Sequence, residues 1–521
     1  MQRMTRWTLI LAAGLVLACA AGVGADVKLP AIIGDHMCLQ QGMKAPIWGW
    51  AEPGEEVTVS IGGQKQTAKA DADGRWQVAL EPLKVGGPLE MTIAGKNTIK
   101  VADILVGEVW VGSGQSNMQM TVTSSKDNQK EIAEAKYPQI RLFSVERAVA
   151  AEPQKDCKGA WVECSPSTVP GFSAALYFFG RDVFKSVGTP MGLIHTSWGG
   201  TPAEAWTSAE TLKADPMLKV VFDRWAKSAE GYPKAKENWE KTKDAQMAKW
   251  KEAVAKAKAE GKQAPRQPRG PEEPAKSPHN PTSLYNAMIA PIIPYGIAGS
   301  IWYQGESNAG RAFEYRKLFP AMITDWRKHW GQGDFPFFFV QLANFMGRKE
   351  QPADSAWAEL REAQTMTLSL PKTGMAVIID IGEAADIHPK NKQDVGGRLA
   401  LAALATVYGK DVVYSGPMYE SMKVEGDKVR LKFKHVGGGL VAKGADKLTG
   451  FAIAGEDKKF VWADAKIDGD AVVVSSKDVA KPVAVRYAWA DNPECNLYNK
   501  AGLPASPFRT DDFQMVTAPK N

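Results

Sequence analysis

Apolar and polar positions change their spacing along this chain and divide it into three parts. Between residues 104 and 410, short apolar runs alternate with longer segments in which apolar residues recur at the helical spacing. That alternation is typical of a parallel sheet covered by helices, so the predicted fold class of this part is α/β. The predicted strands cover 104–111, 192–197, 298–303, 335–342 and 375–380, and the predicted helices cover 174–186, 312–330, 356–370 and 392–407.

The parts on either side are predicted to be β-rich domains. Residues 26–103 and 411–521 contain short apolar or alternating runs separated by turn-forming Gly, Pro and Asp residues, a pattern typical of β-sandwiches. Residues 207–279 interrupt the α/β part. A lysine- and alanine-rich stretch there is followed by a proline-rich one, which indicates a solvated helical insertion with an irregular return.

The first 25 residues have the pattern of a secretory signal peptide. Arg3 and Arg6 precede an apolar run, and small residues follow at 23–25, so cleavage before Asp26 is predicted. The mature chain is therefore expected in the periplasm or outside the cell, with no integral membrane span. Lipid anchoring at Cys19 is a weaker alternative, because Leu17 before Ala18 fits the required signal poorly.

Charge and cysteine content exclude some functions. The net charge is +6, but the lysines are concentrated in 234–262 among glutamates, which argues against a nucleic-acid-binding surface. Cys157 and Cys164 flank a short predicted hairpin, and the sequence leaves open whether they form a disulfide or remain free thiols. Cysteine and histidine spacing indicates no zinc site, and we predict no metal and no cofactor.

Polar residues follow four of the apolar runs and are candidates for an active site. Because the carboxyl ends of parallel strands meet at one edge of a sheet, these residues are expected to lie close together. The four segments are 112–118, 195–201, 302–308 and 386–389.

Together these segments contain what serine hydrolysis requires. Ser116, placed among glycines, is the candidate nucleophile, and His388 is the candidate base. Asp386 lies two residues before His388 and is the candidate carboxylate that orients the imidazole. A strand-to-helix turn at Ser116 and a surface histidine at 388 are the structural alternatives.

Donors to an oxyanion are also present in these segments. The backbone N–H of Ser116 and that of Gly199 or Gly200 are candidates, because glycine allows close approach of the backbone. Gln304 or Asn308 is predicted to add a side-chain amide.

Four motifs together resemble the sialate O-acetylesterase family, which lies within the SGNH hydrolases. They are Gly-Gln-Ser-Asn-Met at 114–118, Ser-Trp-Gly-Gly-Thr-Pro at 197–202, Trp-Tyr-Gln-Gly-Glu-Ser-Asn at 302–308 and Asp-Ile-His-Pro at 386–389. The resemblance covers nearly all of the mature chain. It implies a flavodoxin-like three-layer α/β/α domain flanked by β-sandwich-like domains. It also implies a metal-free acyl-enzyme reaction that removes O-acetyl groups from sugars.

The sequence departs from the wider group in two places. Its usual aspartate, three residues before the histidine, is Ala385 here, and Gln304 stands where an asparagine is usual. By resemblance to acetylxylan esterases, Glu306 is the second candidate, after Asp386, for the acid that assists His388.

The predicted substrate is an O-acetylated sugar or glycan, with sialic acid esters first. Trp198 and Tyr303 are candidates to stack on the sugar. Arg361 is a candidate to pair with a carboxylate that a sialate carries and a xylan lacks, and the alternative is a salt bridge on the surface of a helix. The alternatives are an esterase for acetylated xylan or another plant polysaccharide, and a catalytically inactive glycan-binding protein.

Overall fold

A computed structural model describes residues 26–262 and 264–519 of the chain. The predicted signal peptide and Cys19 lie outside the described residues. Within the described part, no helix is both long enough and apolar enough to cross a membrane.

The N-terminal region consists of short strands that end in one long strand. The short ones are β1 (Cys38–Gln40), β2 (Ala45–Trp50), β3 (Glu56–Ile61), β4 (Gln64–Lys69), β5 (Arg75–Leu80) and β6 (Gly86–Ala94). The long strand is β7 (Thr98–Gly114), which pairs antiparallel with β6 and parallel with β1. Because β7 continues without interruption into the central sheet, the boundary expected at residue 103 lies inside a strand.

The central α/β region contains the remaining strands of the main sheet and every α-helix found in the described residues. The strands are β8 (Tyr137–Ser144), β9 (Trp161–Cys164), β10 (Met191–Ser197), β11 (Gly299–Tyr303), β12 (Phe337–Gln341) and β13 (Thr373–Val377). The helices are α1 (Ser116–Gln119), α2 (Asn128–Ala133), α3 (Ala174–Val187), α4 (Ala209–Ala214), α5 (Pro216–Ala259), α6 (Ala312–Trp330), α7 (Ala356–Met366) and α8 (Lys392–Thr406). Short 3₁₀ turns cover Val122–Ser124, Val169–Gly171, Ala203–Trp206, Pro274–Lys276, Ala290–Ile292, Glu306–Arg311 and Thr367–Ser369, and a π-helical turn covers Tyr285–Ile289.

The sheet has the strand order β13-β12-β11-β7-β10-β8-β9. All neighbours are parallel except β9, which pairs antiparallel with β8. Helix α3 packs with α8 and α6 packs with α7, so two helical layers enclose the sheet. The predicted α/β/α fold class is confirmed. Strand order switches direction at β7, and such a switch point is where open α/β sheets bind their ligands.

Local signals explain where the main helices begin and end. The Ser173 hydroxyl accepts a hydrogen bond from the Leu176 N–H and caps α3, which ends at Gly188 in the left-handed conformation (φ +69°). Helix α6 ends in the same way at Gly331 (φ +67°).

Strands β8 and β9 were not predicted from the sequence.

The insertion is dominated by α5, a helix of 44 residues capped by Asp215. Only Leu218 and Val221 of this helix are buried, in agreement with its polar composition. The helix contacts α4, α6 and the 3₁₀ turn Pro274–Lys276, and most of its remaining residues are exposed to solvent.

The C-terminal region has its own apolar core, formed by two four-stranded sheets and a strand pair. Its strands are β14 (Met418–Glu425), β15 (Lys428–Lys434), β16 (Leu440–Ala442), β17 (Phe451–Ala454), β18 (Val461–Trp462), β19 (Asp464–Asp468), β20 (Ala471–Ser475), β21 (Ala484–Tyr487), β22 (Leu497–Asn499) and β23 (Phe508–Arg509).

Arg361 joins this region to the α/β core, which corrects its predicted role in substrate binding. The side chain is fully buried on α7. Its guanidinium donates to the backbone carbonyls of Leu342 and Ala343, at the end of β12, and of Ala490 and Asp491 in the C-terminal region. Burial lowers its pKa to about 9. With these partners and no exposure, Arg361 cannot reach a substrate carboxylate.

The cysteines form no disulfide among the described residues. Cys157 and Cys164 are both free thiols, and Cys164 is buried at the end of β9. Burial raises the pKa of each to about 12.

We predict that Arg361→Met lowers the stability of the whole chain. The substitution removes four hydrogen bonds to buried carbonyl groups, which should cost at least about 3 kcal/mol and lower the thermal unfolding midpoint by roughly 5–10 °C. The matched control is Arg348→Ala, which removes only an exposed ion pair with Glu494 and should shift the midpoint by about 2 °C or less. Equal shifts in the two variants would contradict this role for Arg361.

Candidate active site

The turn after β7 presents Ser116 at the carboxyl edge of the sheet. Gly114 ends the strand with φ +138°, and a Cβ atom added there would lie 2.2 Å from the carbonyl oxygen of Tyr303 on β11. Only glycine fits this approach. The next residue, Gln115, donates its N–H to the same carbonyl at 3.0 Å, and α1 then begins at Ser116.

His388 lies within hydrogen-bond distance of both Ser116 and Asp386, one on each ring nitrogen. His388 is on the loop between β13 and α8, and its Nε2 lies 2.9 Å from Ser116 Oγ. Its Nδ1 lies 3.2 Å from Asp386 Oδ1, which also accepts the backbone N–H of His388 at 2.9 Å. A proton on Nδ1 directed at the carboxylate leaves Nε2 free to accept the Ser116 proton.

His388 and Asp386 are both accessible to a substrate. The side chain of His388 is 33% exposed and that of Asp386 is 44% exposed. Ser116 is half-buried. An ester bound over Ser116 can therefore approach from solvent.

Asn117 connects the serine turn to the histidine loop. Its side-chain amide donates to Glu306 Oε1 at 2.6 Å and to the backbone carbonyl of Ile387 at 3.0 Å. Its side-chain carbonyl accepts from Lys392 Nζ at 2.6 Å. One amide thus holds residues adjacent to both Ser116 and His388.

Lys392 and Glu306 place two ionisable groups beneath this amide. Lys392 is fully buried at the start of α8, and burial lowers its pKa to about 7. Burial raises the pKa of Glu306, whose Oε2 is enclosed without a hydrogen-bond partner in the described structure. Glu306 bonds to Asn117 and not to His388. The geometry therefore favours Asp386 over Glu306 as the acid that orients the imidazole.

Sequence reasoning did not identify Asn117 or Lys392. Asn117 lies in the same motif as Ser116, and that adjacency was the available signal. Lys392 gave no signal, because a lysine at the start of a helix is ordinarily exposed.

Gly199 lies closer to Ser116 than Gly200 does. A Cβ atom at Gly199 would lie 3.1 Å from Ser116 Cβ, whereas one at Gly200 would meet only His279, at 3.9 Å. The Gly199 N–H donates to Gln119 Oε1 at 2.6 Å. The Gly199 N–H therefore lies beside Ser116, where it is hydrogen-bonded to the side-chain oxygen of Gln119.

Gln304 and Asn308 are buried in an internal network, which does not fit their predicted role as oxyanion donors. The Gln304 amide donates to Asn308 Oδ1 at 2.7 Å and to the Thr201 carbonyl at 3.3 Å. The Asn308 amide donates to Glu204 Oε2 at 2.9 Å. Since these N–H groups bond inside the protein, the two residues support the loop after β10.

The two aromatic residues predicted to contact a sugar differ in exposure. Trp198 is half-buried and precedes Gly199, which packs against Ser116. Tyr303 is fully buried, and Lys392 Nζ lies 5.1 Å from the centre of its ring. Tyr303 therefore packs below the site and is not available for stacking on a substrate.

One group of metal-ligating side chains occurs among the described residues, and it lies away from Ser116. His36, Asp103 and Glu163 come together near the amino-terminal half of β7. Arg141 pairs with Asp103 and lies 3.7 Å from Glu163. Its guanidinium places a positive charge within this group, which does not suit a metal ion.

Comparison with known proteins gives a consistent result. The profile of the family described as "Carbohydrate esterase, sialic acid-specific acetylesterase" matches residues 273–405. Sialate O-acetylesterase of Mus musculus is 32% identical, covering 95% of this chain and 97% of that protein. Its Homo sapiens counterpart is 30% identical, covering 95% of this chain and 94% of that protein.

A solved structure extends this similarity to the fold. The crystal structure of a carbohydrate acetylesterase from Xanthomonas citri superposes with a TM-score of 0.79 and 38% identity. The match covers 94% of this chain and 100% of that chain. The chain therefore belongs to the sialate O-acetylesterase family and is a carboxylic ester hydrolase.

Proposed function

We propose that this protein removes O-acetyl groups from sugars, with acetylated sialic acids as the first substrate class, through an acetyl-serine intermediate. The observation that carries the proposal is the hydrogen bond of 2.9 Å between His388 Nε2 and Ser116 Oγ, with Asp386 on the other imidazole nitrogen. The names of its relatives support the choice of sialic acid esters.

In the first half of the reaction, His388 Nε2 takes the Ser116 proton as Oγ attacks the acetyl carbonyl carbon. The tetrahedral oxyanion is held by the backbone N–H of Ser116 and that of Gly199. The substrate oxygen replaces the Gln119 oxygen that now accepts from Gly199. The carbon–oxygen bond to the sugar then breaks, and His388 returns the proton to the departing sugar oxygen.

In the second half, water attacks the acetyl-serine. His388 takes a proton from this water, acetate leaves, and Ser116 Oγ recovers its proton. Asp386 stabilises the imidazolium in both halves. Asn117 acts indirectly, since it holds the serine turn and the histidine loop at a constant separation.

The protein acts, in this proposal, after export. Export is supported by the signal-peptide pattern of residues 1–25. N-terminal sequencing of the protein from its native cell should begin at Asp26, and a mature protein that keeps Met1 would contradict export by cleavage.

We predict that Ser116→Ala abolishes acetate release. Without the nucleophile, kcat/KM on 4-nitrophenyl acetate, acetylated sialic acid and acetylated xylan should fall by about 10⁴-fold or more. The matched control is Ser113→Ala on the same strand. The Ser113 hydroxyl is buried without a partner, so this variant should keep its activity within about twofold.

The wild-type substrate ratio identifies the sugar. Faster release from xylan than from sialic acid would replace the sialate assignment, and equal activity of Ser116→Ala and wild type would exclude Ser116 as the nucleophile. A folded wild type that is silent on every ester but binds glycan would favour the non-catalytic alternative.

We predict that Asp386→Asn lowers kcat far more than Glu306→Gln does. Asp386 contacts His388 directly, so its loss should reduce kcat by roughly 10²- to 10⁴-fold with little change in KM. Glu306→Gln keeps the shape of the side chain and should cost about tenfold or less, because this carboxylate bonds to Asn117 and not to His388. The reverse order would make Glu306 the orienting acid. Steady-state kinetics on 4-nitrophenyl acetate measure both.

We predict that Asn117→Ala lowers kcat by about 10²-fold while KM changes little. Its loss separates the serine turn from the histidine loop, and a displacement of about 1 Å has this effect on a rate. The control is Asn391→Ala on the histidine loop. This substitution removes the N-terminal cap of α8 and leaves the contacts of the serine turn in place. That variant should keep activity within about threefold, and equal losses would show that loop stability alone is responsible.

A further inference from the structure

Arg147 lies on the same sheet edge as Ser116, three residues after the end of β8. Strand β8 pairs with β10, and β10 pairs with β7, so the segments that follow these strands lie side by side. The N–H of Val145 donates to the His195 carbonyl at 2.9 Å and continues this register past the end of β8. The loop that begins at Trp198 therefore lies between Arg147 and the nucleophile.

Trp198 connects the two spatially. Its N–H donates to the carbonyl of Gly114 at 3.2 Å, and the next residue is Gly199, which packs against Ser116. The guanidinium carbon of Arg147 lies 5.5 Å from the centre of the Trp198 ring, a distance suited to a cation–π contact. The arginine is thus supported on an aromatic ring whose neighbour in sequence, Gly199, packs against Ser116.

The guanidinium of Arg147 is otherwise uncommitted. The side chain is exposed, and within residues 26–262 and 264–519 its guanidinium contacts the Trp198 ring but forms no hydrogen bond or ion pair. Neighbouring arginines at the same edge differ in this respect. Arg311 pairs with Glu204, and Arg398 forms a two-pronged contact with Asp380.

His195, which lies near Arg147, does not offer a second positive charge to an anion. Burial and, secondarily, the charge of Arg147 lower the pKa of His195 to about 4, so His195 is neutral near pH 7. Its Nε2 is engaged with Ser197 Oγ at 2.6 Å. The positive charge beside Trp198 is therefore that of Arg147.

We propose that Arg147 binds the carboxylate of an acidic acetylated sugar and so selects it over neutral sugars. A guanidinium presents paired N–H donors that match the two oxygens of a carboxylate, and stacking on Trp198 restricts its orientation. The inference rests on the proposed function, because it names the residue that would distinguish a sialate ester from a xylan ester. It replaces the role that sequence reasoning gave to Arg361.

Two lysines on the opposite flank are the competing cations. Lys126 and Lys390 are exposed near the His388 loop, where the N–H of Lys126 donates to the carbonyl of Lys390 at 2.8 Å. Neither rests on an aromatic ring. A lysine is a hydrated point charge and orients a carboxylate less well than a stacked guanidinium does.

The test compares one sugar in two charge states. Acetate release is measured from O-acetylated sialic acid and from its carboxamide, which lacks the negative charge. For Arg147→Met, KM for the acid should rise about tenfold at low salt, while KM for the carboxamide should stay within about twofold. Arg147→Lys should restore part of the preference. The preference of the wild type should decrease as ionic strength rises, because the contact is exposed.

Lys390→Met is the matched control and should leave the ratio of the two KM values unchanged. An unchanged ratio in Arg147→Met, or a changed ratio only in Lys390→Met, would overturn the proposal. Catalysis is separated from recognition by repeating the comparison as binding to Ser116→Ala by calorimetry. If the wild type releases no acetate from sugars, the proposed function fails, and the binding ratio still decides the role of Arg147.

Discussion

The close pairing of β7 with β11 at Gly114 is the constraint on which the rest of this site depends. No side chain fits between that residue and the carbonyl of Tyr303, so the turn to Ser116 starts where the strand ends. On the other side, Gly199 lies so close to Ser116 that an added Cβ atom would be 3.1 Å from the serine Cβ. Two glycine contacts thus set the position of the serine from neighbouring strands, and neither tolerates a Cβ atom without movement.

The histidine reaches this serine from further away, and buried polar groups hold it there. Strands β12 and β11 separate β13 from β7, so the loop that carries His388 must cross two strands. Asn117 links the two by donating a hydrogen bond to the carbonyl of Ile387, and its side chain is itself held by Lys392 and Glu306. Burial disfavours the charged form of each of these groups, and a shared amide compensates part of that cost with hydrogen bonds.

The β-rich regions belong to the same framework. Because β7 passes from the N-terminal region into the central sheet, the two share one continuous apolar core. The C-terminal region has a separate core and is joined through Arg361, whose donors span the end of β12 and residues 490–491. The site itself is assembled from the α/β region, with the histidine loop after β13 and the Trp198 loop after β10 on different sides of Ser116.

Local order in the sequence determined the α/β core and the candidate catalytic residues. The helix Ala312–Trp330 has the bounds that its apolar spacing predicted, and Ser116 and His388 stand in short contiguous motifs. Only the tertiary structure decided the partners of the buried polar side chains. Lys392 meets its amide partner across 275 positions, and Arg361 meets carbonyls from two regions. Such partners are brought together by the packing of elements that are distant in sequence. The residues next to a side chain in the sequence therefore do not predict them.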